Sequence, residues 1–189
     1  MAFESAAFEL AQPAVVRDIR QRALLNNWLQ LADTSCPPSA ADFHIERFQQ
    51  KDEAVGFYAV VRQDDGSVRF RIDHDGNFLA RAFGSSGRGQ FIDDYVAPNL
   101  TAVLLPAYRE CEKKGLPVYT ILKIKDETGR TVSYQRLLLP FAEGGAVSRI
   151  MTSLKAIGEE GGFELGNLLS GIYSTPQTEV AAVIQRDGI

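Results

Sequence analysis

The feature that most constrains the fold is a change in hydrophobic period, from 3.6 residues to 2, shortly before Phe57. From there, two segments have the period of a strand with one buried face. Phe57, Ala59 and Val61 alternate with Tyr58, Val60 and Arg62, and Val68, Phe70 and Ile72 alternate with Arg69, Arg71 and Asp73. Asp65-Gly66 lies between them and is a favoured pair for a tight hairpin turn. This part of the chain therefore predicts two antiparallel strands.

A longer helix and three further strands follow. The helix is expected over residues 98–115, because apolar side chains recur there at helical spacing and Gly115 provides a stop. Residues 118–125 and 131–139 predict a second hairpin, Pro140 is expected to end its second strand, and residues 147–157 predict a last strand. The fold class expected is α+β, a five-stranded antiparallel sheet with helices packed on one face plus an N-terminal helix.

The N-terminal helix is expected over residues 13–32, with Gln21 on its polar face. Its apolar stripe consists of Val16, Ile19, Leu24 and Trp28. The helix either packs over the sheet or pairs with a second copy of the chain. In the second case the protein is a homodimer and this stripe is its partner surface.

Three segments are expected along the chain. Residues 1–52 form a helical extension, residues 53–157 the core, and residues 158–189 a C-terminal extension, in which residues 177–189 show no clear element.

Composition excludes several classes of function. The 189 residues carry a net charge of −4, which argues against a general nucleic-acid partner. No apolar run of about 18 residues and no leader pattern is found, so no membrane association is expected and the protein is expected to be cytoplasmic. Cys36 and Cys111 are expected as free thiols, and with His44 and His74 they match no zinc spacing.

Six short motifs occur in a specific order between residues 20 and 157. They are Asn27-Trp28, Pro37-Pro38 followed by Asp42, Phe70 to Gly76, Phe83-Gly84 before Gly89, Gly115 to Val118, and Leu137 to Pro140. Together they resemble a proteobacterial PAS-type family of small single-domain proteins, although Asn27 departs from the family's tyrosine.

The resemblance implies a sensory or protein-interaction module that passes signals to a partner such as a signalling kinase. PAS domains fold a sheet around a helix-lined cavity, which predicts a set of ligand-binding residues here. That set is Phe83, Tyr95, Leu104, Tyr108, Cys111, Tyr119 and Tyr134. The alternative is a ligand-free interaction module with a filled core. An enzyme is the more distant alternative, because Asp73-His74-Asp75 lacks the further ligands of a metal hydrolase.

The same resemblance bears on cofactors. Residues 98–115 contain no His, which argues against haem, and the chain has no Asn-Cys-Arg-Phe type motif, which argues against flavin. The expectation is no cofactor other than an unidentified small molecule, and no metal. Residues 84–89 predict a mobile loop near the cavity mouth, with anion binding through Arg88 as the lesser alternative.

Overall fold

Both predicted hairpins are present, and they lie in one sheet. The computed structural model describes residues 7–33, 36–49, 54–170 and 173–186. The strands are β1 (Glu9–Ala11), β2 (Val55–Arg62), β3 (Val68–Asp75), β4 (Val118–Lys125), β5 (Thr131–Glu143), β6 (Ala146–Gly158) and β7 (Gln177–Ile184). The helices are α1 (Ile19–Leu31), α2 (Glu46–Gln49), α3 (Asn77–Phe83), α4 (Ile92–Tyr95) and α5 (Pro98–Lys114), with a 3-10 turn at Pro13–Val15.

The sheet has the strand order β1-β7-β4-β5-β6-β2-β3. The five strands from β4 to β3 in this order are antiparallel, as expected, but β7 extends the sheet beyond β4 and β1 pairs with β7 in parallel. The expectation of a five-stranded antiparallel sheet is therefore wrong in number and in direction, since the described sheet has seven strands and is mixed. A three-residue strand has no period to detect, and its partner lies more than 160 residues away in the chain.

Helices cover both faces of this sheet, with the N-terminal helix on the face opposite the others. Helices α3, α4 and α5 pack on the first face, against residues such as Leu122 and Leu138. Helix α1 packs on the second face, against Phe57, Leu139 and Phe141. The central strand β5 is consequently buried on both faces over nearly its whole length.

Helix α1 begins later than predicted and presents a different face. The Asp18 carboxylate caps it by accepting the backbone N–H groups of Arg20 and Gln21, each at 3.0 Å. The buried side chains are Gln21, Leu25 and Trp28. Gln21 is tolerated there because its Nε2 donates to the carbonyl oxygen of Ser153 at 2.9 Å. The later start moves the buried face away from the predicted stripe, so Ile19 is 78% exposed.

Pro140 does not end β5, because the strand continues to Glu143. The pairing with β4 stops at Leu138, while the pairing with β6 continues through Pro140 opposite Ile150. Beyond Leu138 the strand has a ladder partner on one side only. A proline, which lacks an N–H, is tolerated at such a position.

The β4–β5 hairpin turn is organised by the buried carboxylate of Asp126. One oxygen accepts the backbone N–H groups of Thr128 and Arg130, each at 2.9 Å, and the other accepts the N–H of Glu164 at 3.0 Å. Burial raises the pKa of this carboxyl group, but these hydrogen bonds outweigh burial and lower the pKa from 3.8 to about 2. The turn therefore depends on the ionised form of Asp126.

We expect Asp126→Asn to lower the Tm at neutral pH, because the amide nitrogen that replaces one oxygen cannot accept a hydrogen bond. The depressed pKa means that the stabilisation is complete above about pH 3.8 and is lost as the pH falls toward 2. The Tm difference between wild type and variant should therefore narrow over that interval when thermal unfolding is followed from pH 6 to pH 2. Glu127→Gln, at the exposed next position, should show no such dependence. A constant difference across the interval would contradict the prediction.

Among the described residues, no helix combines the length and apolar character needed to cross a membrane.

A candidate ligand site around a buried arginine

A cavity lies between the sheet and helices α3 to α5. Strands β2, β3 and β5 provide its floor, and α3, α4 and α5 close it from the other side. The lining residues are Tyr58, Ile72, Asp75, Leu79, Phe83, Ile92, Tyr95, Val96, Leu104, Tyr108 and Arg136. Apolar side chains dominate this lining, and a single cation, Arg136, lies among them.

Arg136 is the unusual member of the lining, because only 2% of its surface is exposed. Its Nη2 donates to the hydroxyl oxygen of Tyr134 at 3.0 Å. Its Nε and Nη1 are buried and have no hydrogen-bond partner within the described parts of the chain. Nor does any carboxylate among those residues form an ion pair with it. A buried guanidinium without an anion is rare, since it has lost its hydration and gained no charge partner.

Three tyrosines surround the guanidinium. Its Cζ atom lies 5.1 Å from the ring centroid of Tyr134 and 5.8 Å from that of Tyr108, within the range of cation–π attraction. Tyr58 packs edge-on against Tyr108, with 5.0 Å between ring centroids. The Tyr108 hydroxyl lies 3.2 Å from that of Thr152. The rings stabilise the cation only partly, because a neutral ring carries no net charge.

The tyrosine hydroxyl groups do not supply the missing anion. Burial raises the pKa of Tyr58 well above its ordinary value, and raises that of Tyr134 to about 12 despite the nearby Arg136. Both side chains are therefore neutral at physiological pH and act as hydrogen-bonding groups around the cation.

The loop that follows α3 lies at the cavity mouth, where it is bonded to two lining residues, Asp75 and Tyr95. The Asp75 carboxylate, at the end of β3, accepts the Ser86 hydroxyl at 2.9 Å and the Gly87 N–H at 2.8 Å. The Tyr95 hydroxyl donates to the carbonyl oxygen of Ser85. A Cβ atom at Gly87 would lie only 2.7 Å from the side chains of Ile72 and Tyr95, so only glycine fits there without displacing them. The loop predicted as mobile is thus bonded to β3 and α4, while Arg88 is exposed.

The cavity is small in the arrangement described. Its enclosed free volume is about 10 Å³, room for about one water molecule. The recess as a whole, including its opening to solvent, contains about 330 Å³ of space between atoms. A ligand larger than water therefore requires side chains at the mouth to move.

The structure brings together most of the predicted ligand-binding residues. Phe83, Tyr95, Leu104 and Tyr108 line the cavity, and Tyr134 hydrogen-bonds to its arginine. Cys111 is fully buried in the core one turn further along α5, and burial raises the pKa of its thiol well above the ordinary value.

Tyr119 is a correction to the predicted set. It belongs to the cluster on the α1 face of the sheet, where its hydroxyl donates to the side chain of Gln135 at 3.0 Å. Alternate residues of a strand point to opposite faces, so Tyr119 cannot share a cavity with its neighbour Val118, which lies on the α5 face.

Arg136 and Tyr58 were missed by the sequence reasoning. Arg136 follows Tyr134 by two residues and precedes an apolar run that reads as a strand buried on both faces. A charged residue at such a position is the signal that would have found it. Tyr58 alternates with Phe57 in a strand expected to have one buried face, whereas the structure buries both of these side chains.

The predicted partner surface is mostly internal. Val16 and Trp28 are fully buried on the chain's own sheet and Leu24 packs beside them, so the packed alternative for the N-terminal helix is the one observed. Ile19 alone of the four is well exposed. Val16 and Trp28 are therefore not part of the surface of this fold.

The remaining candidates for chemistry do not form a cluster. The buried Nε2 of His74 has no hydrogen-bond partner among the described residues, and the ring lies 5.8 Å from that of Phe57. Burial lowers the pKa of this histidine. Within the described ranges, no group of three His, Cys, Asp or Glu side chains is arranged to hold a metal ion.

The succession β2-β3-α3-α4-α5-β4-β5-β6, with a cavity beneath α3 to α5, defines a PAS-type α+β fold. Comparison with protein-family models finds no match, and neither does a search of the curated proteins.

Solved structures with a similar fold are light-oxygen-voltage (LOV) domains. One, described with a flavin analogue, has 13% identity and a TM-score of 0.43, and the match covers 62% of this chain and 86% of that chain. The light-state LOV domain of the blue-light photoreceptor Aureochrome1 has 12% identity and a TM-score of 0.39, with 61% and 90% covered. An RNA-binding LOV receptor has 14% identity and a TM-score of 0.42, with 79% and 52% covered.

These structures overturn one expectation. The sequence predicts that a flavin is unlikely, whereas the similar structures are LOV domains, one of them described with a flavin analogue. The expectation that a flavin is unlikely is therefore wrong.

Proposed function

We propose that this protein is a PAS-like sensory or regulatory module that works by binding a small ligand between its sheet and helices α3 to α5. The observation that carries the proposal is Arg136, a buried guanidinium at the wall of a cavity, two of whose nitrogen atoms have no partner among the described residues. Catalysis is no part of the proposal.

The positive charge of Arg136 is permanent. A guanidinium does not release its proton in proteins, so Arg136 cannot become neutral in response to burial. Burying a charge without a partner is strongly unfavourable, and a partly satisfied buried polar group is less stable than an apolar one of the same shape. A core residue with this disadvantage is best explained by a ligand that completes its hydrogen bonds.

The alternative is a ligand-free interaction module with a filled core. The observation that favours it is the enclosed volume of about 10 Å³, which holds a single water molecule. In that case the water satisfies part of the guanidinium, and the surfaces of the domain carry the function. A homodimer, and docking on a partner such as a signalling kinase, stay predictions under both alternatives.

Mass spectrometry of purified protein separates the two alternatives. The mass under native conditions is compared with the mass after denaturation, and an absorbance spectrum is recorded on the same sample. A small molecule released on denaturation supports the proposal, and flavin absorbance would identify that molecule as a flavin, which requires α3 to α5 to move away from the sheet. If nothing is released, and no compound in a metabolite panel raises the Tm, the ligand-free alternative is correct.

A further inference from the structure

We propose that the ligand of this cavity is a small monocarboxylate, whose carboxylate oxygens accept hydrogen bonds from the Arg136 guanidinium. This inference rests on the proposed function and gives the chemical class of its ligand.

No carboxylate in the described ranges of the chain balances the charge of Arg136. The only carboxylate in the lining is Asp75, and both of its oxygens are engaged by the mouth loop through Ser86 and Gly87. It forms no ion pair with Arg136. The Arg136 guanidinium is therefore available to a ligand, and the Asp75 carboxylate holds the loop that follows α3 in place.

The shape of the cation favours a carboxylate. Nε and Nη1 together carry three N–H groups, and none of them has an acceptor within the described part of the protein. A planar guanidinium matches the planar, paired oxygens of a carboxylate in geometry as well as in charge. The hydroxyl groups of Tyr58 and Tyr108, which also line the cavity, are further hydrogen-bonding groups close to the guanidinium.

One negative charge is the best match. Arg136 is the single cation of the lining, and a phosphate or dicarboxylate would bring a second negative charge toward Asp75 at the mouth. Like charges at short range in a site of low polarity repel strongly. The ligand that balances this site therefore carries one charge.

The rest of the ligand is expected to be apolar and short. Ile72, Leu79 and Leu104 provide hydrocarbon walls beside the arginine. The small enclosed volume limits the length of the ligand's hydrocarbon part, because each added methylene must displace side chains at the cavity mouth. An acid of two to four carbons satisfies both conditions.

The test is thermal unfolding of the full chain in the presence of acetate, propionate or butyrate. Acetamide and propionamide serve as neutral controls of the same shape, and chloride keeps the ionic strength constant. Near a hundredfold excess over the dissociation constant, we expect the best acid to raise the Tm by about 5–10 °C. The amides should produce no shift.

Variants of the arginine assign the effect to the site. Arg136→Met is expected to abolish the shift and, without ligand, to have a Tm equal to or above that of wild type, because it removes an unpaired buried charge at similar volume. Arg136→Lys keeps the charge but loses the planar fork, and should weaken binding at least tenfold; it also serves if the Met variant does not fold. Arg88→Met, at the exposed loop arginine, is the matched control and should keep the full shift.

The outcomes distinguish this inference from the proposed function. Equal shifts by acids in wild type and in both Arg136 variants would overturn the assignment to this site. Release of a neutral ligand in the mass spectrum, with no effect of any acid, would overturn the carboxylate and leave the binding function standing. Neither a released ligand nor a shift from any compound would overturn both.

Discussion

A chain cut down to residues 53–157 is expected to lose cooperative folding. This segment contains the five antiparallel strands and helices α3 to α5, but it lacks α1, β1 and β7. Removing α1 exposes the second face of the sheet, including Phe57, Leu139 and Phe141. Each such side chain contributes about 1.5–3 kcal/mol when buried, so these three alone contribute an amount comparable with the ~5–15 kcal/mol that separates folded from unfolded domains.

The measurement is the solubility of the truncated chain and its unfolding in urea, beside a chain of residues 7–186 as control. The longer chain should unfold in one steep transition, whereas the short one should aggregate or unfold gradually. A soluble, monomeric segment 53–157 with a steep transition would show that the N-terminal segment is dispensable. The predicted division into extension, core and extension would then describe independent units.

Trp28→Ala is expected to reduce the free energy of unfolding by about 3–5 kcal/mol, which is the range for removing a large buried aromatic residue. Trp28 is fully buried, and its Nε1 donates to the carbonyl oxygen of Pro140 at 2.7 Å. The Arg186 guanidinium lies 5.3 Å from its ring centroid. The substitution therefore leaves a cavity beneath α1 and removes the donor to β5.

Urea denaturation of wild type and variant gives the difference directly. Ile19→Ala, on the same helix but 78% exposed, is the matched control and should stay within about 0.5 kcal/mol of wild type. If both substitutions had the same small effect, α1 would not stabilise the sheet in solution. If Ile19→Ala reduced the free energy of unfolding more than Trp28→Ala, Ile19 would be buried in solution, for instance against a second copy of the chain.

The local patterns of the sequence were sufficient for the middle of the fold. Alternation around Asp65-Gly66 and helical spacing between Pro98 and Gly115 both predict elements that the structure contains. These signals are local, because a side chain's position on a strand or helix follows from its immediate neighbours. The assignment of Phe83, Tyr95, Leu104 and Tyr108 to one cavity came from the family resemblance, and the structure places them together.

The errors share a different origin. The sequence predicts Tyr119 in the cavity, Ile19 in the apolar stripe and Pro140 at a strand end. The correct placement of each residue depends on which other segment of the chain packs against it. Strand β4 has one face toward α5 and one toward α1, so both faces are apolar. The sequence therefore does not indicate which face of β4 lies on the cavity side of the sheet. Only the packing of α1 over the second face decides it.

The candidate site shows the same division. The sequence by itself determined a strand in which Tyr134 and Arg136 point to one side, because alternation fixes that relation. It did not determine that three helices enclose this side, or that no carboxylate from elsewhere in the described chain reaches the guanidinium. Nor did it determine that Asp75 accepts hydrogen bonds from the loop that follows α3. Those facts join residues from β2 to β5 across more than 70 positions, and only the tertiary structure brings them within hydrogen-bonding distance.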